Sequence, residues 1–144
     1  LAKVSWRARF EIIQRDPFII LDCAHNPSGF KQLRATGEES FPGKNIKVLI
    51  GVLDDKDAKG IADIIFPGAS KIYVTKPGSE RALAARLLFN LASSHCSDVE
   101  VISDVPTAYK IASSSLSKND VLLVTGSLYT LGEVIPLLSQ LKKR

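Results

Sequence analysis

Asp22, Cys23, His25 and Asn26 fall within five positions of the segment LDCAHNPSGF, residues 21–30. A carboxylate, a thiol, an imidazole and an amide so close together offer an anion, a nucleophile, a proton carrier and a hydrogen-bonding cap. They follow directly on the apolar run Phe18-Ile19-Ile20-Leu21. An aspartate at the end of a buried strand requires a partner or a ligand, because an uncompensated buried charge is costly. Asn26 before Pro27 has the form of a helix N-cap followed by proline in the first turn. His25 taken alone is equally consistent with a packed, hydrogen-bonded histidine and with a functional one. Cys23-x-His25 and His95-Cys96 could be imagined as four metal ligands, but their spacing matches no zinc pattern. Two buried thiols and unrelated histidines are the expectation, and no metal is assigned.

Groups of this kind act only if regular elements hold them. Near-continuous apolar runs at 18–22, 46–52, 70–75, 99–102 and 120–125 predict strands buried on both faces. RFEIIQ, at 9–14, predicts a further strand that turns at Arg15-Asp16-Pro17 and pairs antiparallel with 18–22. Helical periodicity fills the gaps. Ala58, Ile61, Ala62 and Ile65 mark a helix over 56–66 that Pro67 stops, and Leu83, Leu87 and Leu91 mark one over 79–92 with Ser79 as its cap. Another starts at Asp104-Val105-Pro106, one follows Asn26, and a last runs from about 128 to 142, where Gly132 and Pro136 predict a break or kink. Residues 35–45 and 93–98 read as surface loops. The alternation predicts one open α/β sheet with helices on both faces, a single domain over residues 1–144.

Ligands of open α/β sheets collect beyond the C-terminal ends of the strands. Those ends here carry Asp22 to Asn26, then Asp54-Asp55-Lys56-Asp57, then Lys76 to Arg81, and Gly126-Ser127. Each has a plainer structural alternative: Asp54, Asp55 and Ser79 as helix caps, Lys56 as a solvated charge, Gly126-Ser127 as a tight turn. Their convergence on one sheet edge favours a site. The chain has no G-x-x-x-x-G-K-[ST], no G-x-G-x-x-G and no G-x-S-x-G, so it lacks a P-loop, a dinucleotide fingerprint and a hydrolase elbow. Any phosphates at this edge must be held by something else.

Bulk properties set wider bounds. The chain has 144 residues, 45% of them apolar and 24% charged, which is ordinary for one globular domain. No apolar stretch approaches the ~18 residues that span a bilayer. The net charge of +4 is scattered apart from Lys142-Lys143-Arg144, unlike the concentrated stripe of a nucleic-acid binder. Neither a membrane nor a nucleic acid is an expected partner. Two cysteines are too few for a disulfide framework and point to a reducing cytoplasm.

Four blocks, Trp6-Arg7-Ala8-Arg9-Phe10-Glu11, Asp22-Cys23-Ala24-His25-Asn26-Pro27, Gly51-Val52-Leu53-Asp54-Asp55-Lys56-Asp57 and Val124-Thr125-Gly126-Ser127-Leu128-Tyr129, occur in this order. Together they resemble the C-terminal domain of the folylpolyglutamate synthase/dihydrofolate synthase family, a branch of the Mur ligase superfamily. The resemblance implies a Rossmann-like mixed sheet of about six mostly parallel strands. It implies an ATP-dependent amide ligase that activates a folate or pteroate carboxylate as an acyl phosphate for attack by L-glutamate. The P-loop and most magnesium and folate contacts would belong to an N-terminal ATPase domain absent from this chain, leaving the isolated domain inert. By the same resemblance Arg9 approaches the ATP phosphates, Asp22 contacts the nucleotide through ribose hydroxyls, and His25 positions substrate. Asn26 caps a helix whose amides face an anion, Lys56 and Ser127 hold a glutamate carboxylate, and Arg81 matches a further family arginine. Cys23 stands where the family has glycine, and Arg7-Ala8 replaces Pro-Gly. The alternative from a different class is a free-standing binding or regulatory module without catalysis.

Overall fold

A computed structural model describes residues 9–142, with side chains described through residue 138. Trp6, Arg7 and Ala8 of the first block, and Lys143 and Arg144 of the basic tail, lie outside the described residues. The chain runs β1 (Glu11–Arg15), β2 (Phe18–Leu21), α1 (Pro27–Ser40), β3 (Asn45–Ile50), α2 (Ala58–Ile65), β4 (Lys71–Val74), α3 (Ala85–Ser93), β5 (Val99–Val101), α4 (Val105–Ser114), β6 (Asp120–Thr125) and α5 (Leu128–Lys142). The strands form one six-stranded sheet in the order β1-β2-β6-β3-β4-β5. β1 pairs antiparallel with β2 through a turn containing a cis Asp16–Pro17 bond, and every other pairing is parallel. The mixed, mostly parallel sheet expected from the sequence is therefore present.

Alternation along each strand builds two cores. Ile20, Val48, Ile50, Ile72 and Val74 face α1, α2 and α3, where Phe30, Leu33, Ile61 and Leu88 cover them. Ile19, Leu21, Leu49, Tyr73 and Leu122 face α4 and α5, met by Val105, Tyr109, Leu131 and Val134. β6 runs through the middle with every residue buried, the burial that parallel strands covered by helices on both faces require. Its first residue, Asp120, accepts from the Ser117 amide at 2.8 Å and the Ser117 hydroxyl at 3.0 Å, and pairs with Lys47 at 3.1 Å. No helix among the described residues is long and apolar enough to cross a membrane.

Four local expectations are corrected. Residues 35–40 continue α1 rather than forming a loop. The helical cost of Gly37, about 1 kcal/mol, is outweighed by burial of Leu33 and Phe41 and by the Arg34–Glu38 pair. The helix expected from 79 begins only at Ala85, and Ser79 does not cap it. Residues 81–83 lie instead against the loop after β3. Asp54 N–H donates to Arg81 O at 2.7 Å and Leu83 N–H to Val52 O at 2.9 Å, and these bonds hold the segment extended. Leu87 consequently faces outward at 52% exposure, and Leu88 and Ala92 are the buried positions. Neither Asp54 nor Asp55 caps α2; Asp57 does, accepting from Gly60 N–H at 3.0 Å. Of the break or kink expected at Gly132 and Pro136, the break is absent, since α5 runs on through both. Asp57→Ala should cost about 1 kcal/mol, read as a lowered urea midpoint with an unchanged m-value.

Candidate functional site

Arg9 and the β2–α1 loop meet at the C-terminal end of β2. Asp22 organises the junction: Oδ1 accepts from Phe10 N–H at 2.7 Å and Oδ2 from Ala24 N–H at 3.0 Å. Phe10 adopts a positive φ of 46°, a conformation that costs a non-glycine residue on the order of 1–3 kcal/mol. The Asp22 bond and the packing of the Phe10 ring on Phe41, centroids 6.2 Å apart, hold it there. One carboxylate thus fixes the approach of the hairpin to the loop and places Arg9 beside it. Burial pushes the Asp22 carboxyl above its ordinary value, although both amide bonds and the charge of Arg9 pull the other way.

His25 and Asn26 are exposed in the same loop. His25 Nδ1 lies 3.1 Å from Cys23 O, so the tautomer that donates there turns the Nε2 lone pair outward. Asn26 Oδ1 accepts from Gly29 N–H at 2.8 Å and caps α1 with Pro27 in the first turn, as the sequence pattern predicts. Cys23 is half-buried, and burial followed by the neighbouring Asp22 charge pushes its thiol up, away from reactivity. The other histidine is unrelated: His95 pairs with Asp63 at 3.1 Å.

Arg9, Asp22, His25 and Asn26 line one cleft of about 450 Å3. Its far wall is a row on α1, Ser28, Gln32 and Thr36, spaced by four so that all three share one helix face. This polar row was legible as a spacing, yet it does not stand out among the chain's other polar residues.

Lys56, Arg81 and Ser127 do not line that cleft. They belong to a second group of loops, after β3, β4 and β6. Arg81 Nη2 reaches Asp55 Oδ2 at 2.6 Å, and Lys56 Nζ lies 3.9 Å from the same oxygen. Ser127 is buried, and its hydroxyl bonds Thr130 N–H at 3.1 Å and Thr130 Oγ1 at 3.0 Å. It starts α5 rather than facing solvent. Thr130 and Glu133, which the sequence did not single out, fasten the group together: Thr130 Oγ1 donates to Gly51 O at 2.9 Å and Glu133 Oε2 accepts from Gly78 N–H at 2.8 Å. Gly126, at φ +118°, passes so close to Gly51 O that no side chain fits.

β6 lies between β2 and β3. The helix after β2 covers one face of the sheet and the helix after β6 the other, so the chain diverges at this point. Such a switch point opens a crevice at the strand ends, and the two groups of loops flank it. The arrangement can hold an anion near Arg9, offer hydrogen-bond acceptors at Asp22 and His25, and present the cations Lys56 and Arg81 across the crevice. None of these groups forms a nucleophile–base pair, so the edge is built to bind and orient.

Residues 8–128 match the Mur ligase, glutamate ligase domain family. The dihydrofolate synthase/folylpolyglutamate synthase of Bacillus subtilis is 29% identical over 134 residues, covering 93% of this chain and 31% of that protein. Folylpolyglutamate synthase of Mycobacterium tuberculosis, solved with ADP, superposes with a TM-score of 0.82 at 27% identity, covering 91% of this chain and 32% of the other. A bifunctional folylpolyglutamate synthase/dihydrofolate synthase solved with Mn, AMPPNP and L-glutamate bound gives 0.80 at 26% identity, with coverages of 92% and 31%. The chain thus spans about a third of the length of the relatives it matches.

Proposed function

Because the chain belongs to the Mur ligase, glutamate ligase domain family, we propose that it is the glutamate-side lobe of an ATP-dependent ligase that adds L-glutamate to a folate or pteroate carboxylate. A P-loop ATPase domain would be its partner. The observation that carries this reading is the cleft in which Arg9, Asp22, His25 and Asn26 converge without any phosphate cradle of their own. A site so built suits a nucleotide whose phosphates and magnesium are held mainly by another domain.

The chemistry has two steps. The substrate carboxylate takes the γ-phosphoryl group of ATP, giving an acyl phosphate and ADP. The glutamate amino group then attacks the acyl carbon, and the tetrahedral intermediate collapses to an amide, releasing phosphate and a proton. Arg9, permanently charged, offsets the negative charge on the phosphates. Asp22 sets the position of Arg9, and its remaining lone pairs can accept ribose hydroxyls. His25 orients substrate at the loop tip, and the N-terminal turn of α1 under Asn26 favours a nearby anion. Lys56, held only loosely by Asp55 at 3.9 Å, attracts a glutamate carboxylate. Ser127, buried, serves this group of loops by fixing the start of α5.

The test is a chimera in which residues 1–144 replace the matching third of the Bacillus subtilis relative. Glutamate-dependent release of ADP in the presence of dihydropteroate is the expected result, with none from residues 1–144 alone. A folded chimera that binds AMPPNP but leaves glutamate unligated would favour a binding module without catalysis. Turnover by the isolated chain would overturn the two-domain reading.

A further inference from the structure

We infer a second ligand site, at the sheet edge opposite the candidate site, that takes a small aromatic carboxylate. The last turns of α1 and α2 and the loops leading into β3 and β4 enclose a cleft of about 300 Å3, at the lower end of the range for small-molecule pockets. Phe41, Ile46, Ile65 and Leu123 give it an apolar floor. Phe41 is fixed in place by Phe18, ring centroids 4.7 Å apart, and by Phe10. A flat apolar body therefore meets a rigid surface.

Two cationic side chains, Arg34 and Lys44, line the cleft. Arg34 is anchored by Nη1, which donates to Ile64 O at 2.7 Å, and its Nε lies 3.5 Å from Glu38 Oε2. Its Nη2 edge remains open. Gly68, at φ +84°, a conformation that favours glycine, borders this edge 3.4 Å from Nη2 as measured to an ideal Cβ. Lys44 lines the same cleft, and its described neighbour is the Phe18 ring at 5.9 Å. No carboxylate among the described residues pairs with it. An anchored guanidinium in the wall of an apolar cleft, with a second cation bordering it, matches a carboxylate on a flat body. Glu38 at the rim repels a dianion more strongly than a monoanion, which favours a carboxylate over a phosphate.

The site lies away from Arg9, Asp22 and His25, so it stands or falls independently of the ligase reading. The experiment is an amide NMR titration of the chain with 1-naphthoate. Saturable shifts at Gly43, Lys44, Gly68 and Ala69, with Asp22 and His25 unmoved, are expected. Lys44→Gln should weaken binding about fivefold and Glu38→Gln should strengthen it by about threefold, the scale of partly exposed ion pairs. Equal binding of the neutral 1-naphthalenemethanol, insensitivity to both substitutions, or shifts centred on the other edge would each overturn the assignment.

Discussion

Asp22→Ala, placed in a full-length ligase that carries this chain, is expected to lower turnover about a hundredfold, the cost of misplacing a reacting group by about 1 Å. The carboxylate accepts from Phe10 N–H at 2.7 Å and Ala24 N–H at 3.0 Å, so alanine removes the acceptor on both sides of the junction. Phe10 at φ 46° then loses a bond that holds it, and Arg9 next to it loses its fixed approach. Two amides left without acceptors cost on the order of 1–3 kcal/mol each where water cannot replace them. Asp22→Asn separates geometry from charge. One amide oxygen can still accept from Phe10, but the side-chain NH2 then meets Ala24 N–H, donor to donor. Only part of the stability should therefore return, together with whatever turnover the Phe10 bond alone secures. Steady-state ATP turnover and thermal melting of each variant measure the two effects. Wild-type kinetics in Asp22→Ala would remove Asp22 from the site altogether.

pH acts on Asp22 with a definite sign. Burial raises its folded value above the ordinary 3.8, so the fold holds this proton more tightly than the unfolded chain does. Its contribution is greatest below 3.8 and is lost as pH rises through the folded value. Asp22→Asn should flatten that part of the stability profile.

Asp120→Ala is expected to destabilise the chain by about 3 kcal/mol, the cost of stranding one partner of a buried ion pair, or roughly 10 °C in Tm. Asp120 is 3% exposed and begins the central strand. It pairs with Lys47 at 3.1 Å, accepts both Ser117 donors, and lies 3.4 Å from Asn45 Nδ2. Burial pushes its carboxyl up, but the Ser117, Lys47 and Asn45 bonds outweigh burial and hold it below 3.8. The resulting stability is fully present above 3.8 and is lost as pH falls through the depressed folded value, opposite in sign to Asp22. Urea unfolding at pH 7 and at pH 3 should thus show the gap between wild type and Asp120→Ala shrinking in acid. A gap of equal size at both pH values would mean that packing, not charge, accounts for the loss.

Legibility followed the range of the interactions. The strands 18–22 and 120–125 and the Asn26 cap depend on neighbours in the chain, and each was readable to within a residue or so. The helix from 79 failed because residues 81–83 answer to the loop after β3, some thirty positions away. The loop expected at 35–45 failed over 35–40 for a similar reason: the local helical penalty of Gly37 is offset by burial that only the packed sheet supplies. At the site, the motif residues Arg9, Asp22, His25 and Asn26 were identifiable, and they share a cleft. The roles of Thr130 and Glu133 were not, since their partners Gly51 and Gly78 lie 79 and 55 positions away in sequence.

Residue order alone determined the alternation of strands and helices, hence an α/β sheet with its candidate site residues at the C-terminal strand ends. Four blocks in sequence determined the family resemblance. Folding decided which of those blocks meet. β6, the last strand in the chain, inserts between β2 and β3, and its helix departs on the face opposite to theirs. That insertion sets Lys56, Arg81 and Ser127 apart from the Asp22 cleft and buries Ser127 at a helix start. The tertiary structure also gives Asp22 its clearest physical role, as the half-buried carboxylate that ties the segment before β1 to the β2–α1 loop. Periodicity along a chain reports which face a side chain takes, but only the order of strands in the sheet fixes which loops become neighbours.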